Sequence, residues 1–310
     1  MTTSTVQRPP VAAGATRPRR RRRSGEAWVG YLLVAPVVAL FLVFSAYPLL
    51  RTAQISVTDW NGLSAHFDYV GLANYSRVLT DRIWGIALWH GLLFAVVALT
   101  VMQGIGLALA VAVARLVRSA GIYRVFFYLP PILSAIVVAL VWKWFYQPHG
   151  GPLNELLASV GLDSLARPWL ADSSTALWAV SAASVWQGVG TPFLFFLAAV
   201  QAVPTEQLEA ATMDGAGAWR RFRAVTLPSI MPVIGLVSVL TLLGAMQIFN
   251  LVLAMTNGGP GYDTEVPVLN IYRNAFELGE FGYATAQSIV FGLVLFVVSG
   301  VAMVLSRRRS

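Results

Sequence analysis

Residues 209–228 read Glu-Ala-Ala-Thr-Met-Asp-Gly-Ala-Gly-Ala-Trp-Arg-Arg-Phe-Arg-Ala-Val-Thr-Leu-Pro, a polar island set between two long apolar segments. The spacing reads as two short helices hinged at Gly215, because glycine accepts a backbone angle that Cβ-bearing residues resist. Ala210 and Ala211 are small enough to let a partner surface approach closely, and Glu209 offers a carboxylate to an Arg or Lys across such a contact. The competing interpretation is an ordinary solvated connector between two spans.

Outward from this island the chain is strongly apolar. It is 57% hydrophobic and 12% charged, with a mean hydropathy of +0.67, more apolar surface than one water-soluble globule of this length can hide. Six stretches reach the roughly 20 residues that a helix needs to cross a hydrocarbon core: about 28–50, 86–113, 125–145, 177–200, 230–253 and 286–305. The expected architecture is therefore an all-α integral membrane protein with six transmembrane helices over residues 26–310. Residues 1–25, rich in Pro, Thr, Ala and Arg, read as a disordered basic arm. The apolar run after the arm is too long for a cleaved secretory signal and reads as an uncleaved signal anchor.

Orientation follows from the arginines, since cytoplasmic flanks of membrane helices carry excess Lys and Arg. With both termini placed in the cytoplasm, the inner segments hold 16 of the 22 basic residues and 4 of the 14 acidic ones, a net of +12. The outer segments then hold 6 basic and 10 acidic residues, a net of −4. The overall charge of +8 sits almost wholly on the inner face, which points to anionic membrane lipid and away from nucleic acid. Multi-pass placement in the plasma (inner, cell) membrane is the expected localisation.

Several chemistries have no residues to carry them. The single lysine, Lys143, lies between two tryptophans and outside any Gly-x-x-x-x-Gly-Lys-Ser/Thr run, so nucleotide hydrolysis is assigned to another polypeptide. No Asp or Glu falls inside the six spans, which argues against a carboxylate-coupled secondary transporter. His66, His90 and His149 are scattered without metal-ligand spacing, and Ser134 and Ser184 lack a nucleophile-elbow context. Cysteine is absent, which removes disulfides and thiolate sites. The expectation is a transport protein and not an enzyme.

The island resembles the cytoplasmic coupling loop of ABC importer permeases, whose pattern is Glu-Ala-Ala, three residues, Gly, nine residues, an aliphatic, any residue, then Leu-Pro. Glu209, Ala210, Ala211, Gly215, Val225, Leu227 and Pro228 fill those positions, with Asp214 between them, inside a loop taken as 204–228. Tyr47-Pro48, Val70-Gly71-Leu72 with Asn74-Tyr75, Phe127 to Pro131, Trp142 and Thr256 to Pro260 are together similar to the sugar-importing branch, that of maltose-type and glycerol-phosphate-type systems. The maltose-system subunit carries extra N-terminal spans and a large periplasmic insertion that have no counterpart in this sequence. The resemblance implies the type I importer permease fold and a sugar substrate. It also implies a second homologous permease, a cytoplasmic ATPase dimer holding ATP and Mg, and an extracytoplasmic solute-binding protein; no cofactor is expected in this chain. A non-sugar solute such as a polyamine, peptide or phosphate is the nearest alternative, and a scaffold without transport activity a more distant one.

Within the spans the polar residues are few. Gln187, Gln247 and Asn250 cannot face lipid without leaving amides unsatisfied, so they bond across helices or line a wet path. Gln247 and Asn250, three apart, are expected on one helix face with Phe249 close by. Amides bond hydroxyls in two directions and aromatic rings cover apolar sugar faces, so this set suits a polyol. The resemblance implies substrate contact in the matching part of the fifth span.

Overall fold

The computed structural model describes residues 24–116 and 120–307. Almost all of the basic arm, including its arginine run, lies outside these, as does Arg118; Ser24 and Gly25 belong to the first helix. The described chain is helical, with one isolated bridge between Thr58 and Tyr69. Among the described residues four helices are long and apolar enough to span a membrane: Tyr31–Ile55, Arg82–Ala114, Ala218–Met255 and Phe281–Val304. Two bent pairs bring the number to as many as six: Gly121–Ile132 with Ala135–Phe145, and Ala176–Gly188 with Gly190–Gln201.

Up to Arg51 the first span belongs to a compact unit of its own. It presents large apolar side chains, including Trp28, Leu32, Phe41 and Phe44, on all sides, as a helix bathed in hydrocarbon does. The remaining spans form the second unit, residues 52–310. Lipid tails are as apolar as Leu, so these helices are held by close packing and by buried hydrogen bonds more than by escape from water.

Near the coupling loop, the second half of the fourth span packs along the end of the second, and Phe193, Phe196 and Leu197 bury against Ala110, Val113 and Val237. At the opposite end Trp84, Leu242, Met246, Tyr283 and Phe291 form a second core. A third joins Val138 and Ala139 to Leu177, Val180, Leu251 and Leu269.

The third span departs most from the expected uninterrupted helix over 125–145. Pro130 and Pro131 stand at the end of a helix running Ala120–Ile132. Their rings remove two backbone donors and crowd the carbonyls of Phe126 and Phe127, so the helix stops and the next, from Ala135, leaves at 93°. Gly190 approaches at this point, and a Cβ there would collide with the Phe127 carbonyl oxygen. The fourth span, expected over 177–200, bends by 42° between Gly188 and Gly190. The fifth begins earlier than the expected residue 230, because the helix from Ala218 runs through a π segment, Phe222–Thr226, into Leu227–Met246.

The loops opposite the coupling element are tied by side chains. Asn74 donates its amide to the carbonyls of Ser56 at 2.9 Å and Thr58 at 2.8 Å, which gives the Val70 to Tyr75 motif a structural purpose. Asp81 caps the second span by accepting from Ile83 and Trp84 amides and also accepts from the Tyr283 hydroxyl. Glu265, fully buried, pairs with Arg273 at 2.8 Å and accepts from Asn270, while Arg273 reaches the Asn257 carbonyl at 3.0 Å. Asn270, Asn274 and Gln287 continue the network, and the Nδ1 of His90 lies 2.9 Å from the Glu265 carbonyl. Burial pushes the Glu265 carboxyl above its ordinary range, against the opposing pull of the Arg273 guanidinium. Asn257 and Gly258 take positive φ in a turn that helps close this network, and a short helix runs Pro152–Ser159.

Candidate functional site

A cavity of about 450 Å³ opens where three interruptions meet: the break in the third span, the bend of the fourth and a break in the fifth. The fifth helix ends at Met246 and a new one starts at Asn250. Gln247 turns out of helical geometry at φ −96° and ψ 15°, and Phe249 sits at φ −141° and ψ −66°. Non-helical backbone at membrane depth persists where it lines a cavity, because water or a ligand can satisfy its polar groups. Gln247 donates its side-chain amide to the Leu243 carbonyl at 3.1 Å, closing the last turn of the first half.

This break corrects the expectation that Gln247 and Asn250 share the face of one continuous helix. They stand on either side of an interruption, and the interruption itself aims both into the cavity with Phe249. Gln187 lines the same space and donates to the Leu133 carbonyl at 3.1 Å, so it both bridges helices and faces the cavity. Thus the tertiary fold gathers all four sequence-derived pathway candidates around one cavity. Sequence reasoning missed Ser184 and Thr191, which lie three before and four after Gln187 and complete a polar stripe on the fourth span, and Thr241 on the fifth. The signal was the helical spacing of hydroxyls around a lone amide. Phe195 adds a second aromatic face, and among the described residues no charged side chain lines the cavity.

The second candidate site is the segment 204–228, whose sequence resembles a coupling loop. Its first helix runs Thr205–Met213 and ends in a Schellman turn: the Ala216 amide donates to the Ala211 carbonyl and the Gly215 amide to the Thr212 carbonyl, both at 3.0 Å. Gly215 holds φ +74°, so it is the residue that terminates this helix. The expected hinge between two short helices is therefore corrected, because the second arm is the start of the fifth span. The Arg221 guanidinium bonds the Thr212 hydroxyl at 2.6 Å and fixes the angle between the arms.

Glu209, Ala210, Asp214 and Gly215 are exposed on this element, Ala211 is partly covered, and Leu227 and Pro228 lie at the entry to the long helix. Sequence reasoning overlooked two apolar projections here. Met213 is 88% and Trp219 71% exposed, with Trp219 stacked on Phe222 at 5.5 Å. Exposed apolar side chains on the same segment as Glu209 and Asp214 have the chemistry of a docking surface. Among the described residues no group of three His, Cys, Asp or Glu is placed to hold a metal.

The family described as "Binding-protein-dependent transport system inner membrane component" matches residues 104–310. The chain belongs to this family. It is 33% identical to the diacetylchitobiose uptake system permease protein NgcF of Streptomyces coelicolor, over 97% of this chain and 89% of that protein. It is 34% identical to the sn-glycerol-3-phosphate transport system permease protein UgpA of Agrobacterium fabrum, over 87% and 91%, and 32% identical to the trehalose/maltose transport system permease protein MalF of Thermococcus litoralis, also over 87% and 91%. Its fold is that of a bacterial ABC transporter chain involved in import of the acidic polysaccharide alginate, with a TM-score of 0.79 over 92% of this chain and 96% of that one at 24% identity. The permease is thus a multi-pass membrane component of a transport system and not an enzyme.

Proposed function

We propose that this permease carries a neutral sugar or short oligosaccharide through the cavity between its broken third, bent fourth and broken fifth spans. One observation carries this reading: Gln187, Gln247, Asn250, Ser184 and Thr241 surround the space with amides and hydroxyls, Phe195 and Phe249 supply aromatic faces, and no charge lines it. A phosphate or polyamine in the same space would lack a counter-charge, whereas a polyol finds both donors and acceptors and a ring to stack on. Relatives whose names include diacetylchitobiose and trehalose/maltose uptake support the substrate class.

In the assembly we envisage, a second homologous permease completes the pathway and a cytoplasmic ATPase dimer, with its ATP and Mg, docks on Glu209, Ala210, Ala211, Asp214 and Gly215, with Met213 and Trp219 as apolar anchors. A solute-binding protein delivers sugar from outside, as supported by the related alginate transporter, which has been seen with a ligand-bound periplasmic protein. Both termini and the coupling element face the cytoplasm. ATP-driven closure of the ATPases moves the coupling helices and switches which side the cavity faces. Calorimetry on the cognate binding protein, followed by sugar-stimulated ATP hydrolysis in the reconstituted system, tests the reading. Stimulation by a charged solute and by no sugar overturns it.

A further inference from the structure

Beside the segment 204–228 lies a second cavity, of about 710 Å³, which shares no lining residue with the first. Three guanidiniums line it, each from a different part of the chain: Arg115 after the second span, Arg124 on the first half of the third, and Arg221 at the start of the fifth. Among the described residues no carboxylate comes within 4.0 Å of any of the three, since the ion pairs there are Arg77 with Glu280 and Arg273 with Glu265 and Glu277. Arg124 and Arg221 are held by neutral partners, the Gln201 amide oxygen and the Thr212 hydroxyl, both at 2.6 Å. These bonds orient the fork-shaped donors without neutralising them.

The remaining lining is suited to the same kind of guest. Thr205 and Thr226 contribute hydroxyls, and Thr205 opens a nine-residue helix whose N-cap, Pro204, makes no side-chain cap bond to its first amides. Val111, Leu208 and Phe222 form an apolar wall beside the charges. Glu209 and Ala210, on the same helix, do not line this space, so a guest in it leaves the proposed docking residues free.

We propose that this cavity binds a phosphate-bearing anion, and that an occupied site ties the coupling element to the ends of the second and third spans. Three uncompensated guanidiniums in a concave, partly apolar recess favour a phosphodiester or a comparable anion over chloride, because planar donor forks match phosphate oxygens in pairs. The source is either the headgroup of an anionic lipid, whose tails would follow the apolar wall, or a soluble phosphate compound. This inference is independent of the sugar assignment.

The test uses the full chain in nanodiscs. Native mass spectrometry follows retention of phosphatidylglycerol in a phosphatidylcholine background, and calorimetry follows inorganic pyrophosphate in discs of phosphatidylcholine alone. One of the two probes should bind saturably. Arg124→Gln should weaken it about fivefold, the contribution of one basic residue facing an anionic headgroup. Arg115→Gln, Arg124→Gln and Arg221→Gln together should abolish binding, and the three matching Lys substitutions should restore part of it. If the triple variant does not fold, Arg124→Gln alone decides, since that side chain is exposed. Phosphatidylglycerol retention without pyrophosphate binding identifies a lipid site, and the reverse a soluble-anion site. Arg223→Gln serves as the control, because Arg223 is exposed on the same element but does not line the cavity. Absence of saturable binding to either probe overturns the proposal, as does an equal loss in Arg223→Gln and Arg124→Gln.

Discussion

Gln187 donates its side-chain amide to the backbone carbonyl of Leu133 at 3.1 Å, across 54 residues of sequence. Leu133 sits where the third span breaks by 93°, so the bond anchors that break to the fourth span on the wall of the cavity. Replacing Gln187 with Leu leaves the Leu133 carbonyl without this donor in an apolar setting. The expected loss is about 1 kcal/mol, the order of a partly exposed hydrogen bond left unmade. Thermal unfolding of the purified protein should register it as a drop of a few degrees, and transport should fall with it.

The pathway residues separate by a double substitution. Gln247 and Asn250 flank the break in the fifth span, so Ala at both removes partners for sugar hydroxyls while the break is retained by the backbone. Losing one or two hydrogen bonds at about 1 kcal/mol each should weaken apparent transport affinity several-fold. Basal ATP hydrolysis of the reconstituted system should persist while its stimulation falls. A double variant that fails to assemble, with each single variant transporting normally, would reassign both amides to helix packing.

Charge reversal and backbone strain probe the coupling element in different ways. Glu209→Lys should reduce co-purification of the ATPase because it inverts a charge at the contact. Gly215→Val forces a β-branched residue to φ +74° and should disturb the turn by about 1–2 kcal/mol. Both variants should reach the membrane at normal abundance and lose uptake. Wild-type uptake in either would remove the docking role.

Glu265 gives a dependence on pH. Its burial raises the carboxyl above its ordinary value of 4.5, so the native state holds that proton more tightly than the unfolded chain. The associated stability is fully present below 4.5 and is lost as pH rises through the raised value. Denaturation profiles of wild type and Glu265→Gln should therefore diverge over that window, with the wild type falling and the Gln variant flat. Glu265→Ala should be worse at every pH, by about 3 kcal/mol, because it leaves Arg273 without its buried partner.

Orientation is open to a direct experiment. Reporter fusions after Arg23, Arg118, Arg223 and Arg308 should report cytoplasm, and fusions after Asp68, Asp163 and Asp263 the outside. One consistently reversed pair of neighbouring loops contradicts the six-span topology.

Composition and local spacing were enough to determine membrane residence, the approximate spans and the family, because each depends on runs of apolar residues or on side chains close together in sequence. The amides of Gln187, Gln247 and Asn250 were legible for a related reason: an amide in hydrocarbon must find a partner, so its presence alone marks a helix contact or a wet path. The breaks were decided only by the tertiary structure. Pro130 and Pro131 announce that a helix is weakened, yet the 93° turn also needs Gly190 close to the Phe127 carbonyl and Gln187 on the Leu133 carbonyl, from a span some 60 residues away. No proline marks the break at 247–249; the chain leaves helical geometry there because a cavity accommodates the freed backbone groups. The same holds for Arg115, Arg124 and Arg221. In sequence they count toward an inner positive charge, and only folding brings three of them around one recess, since convergence from distant segments leaves no periodic trace in the chain.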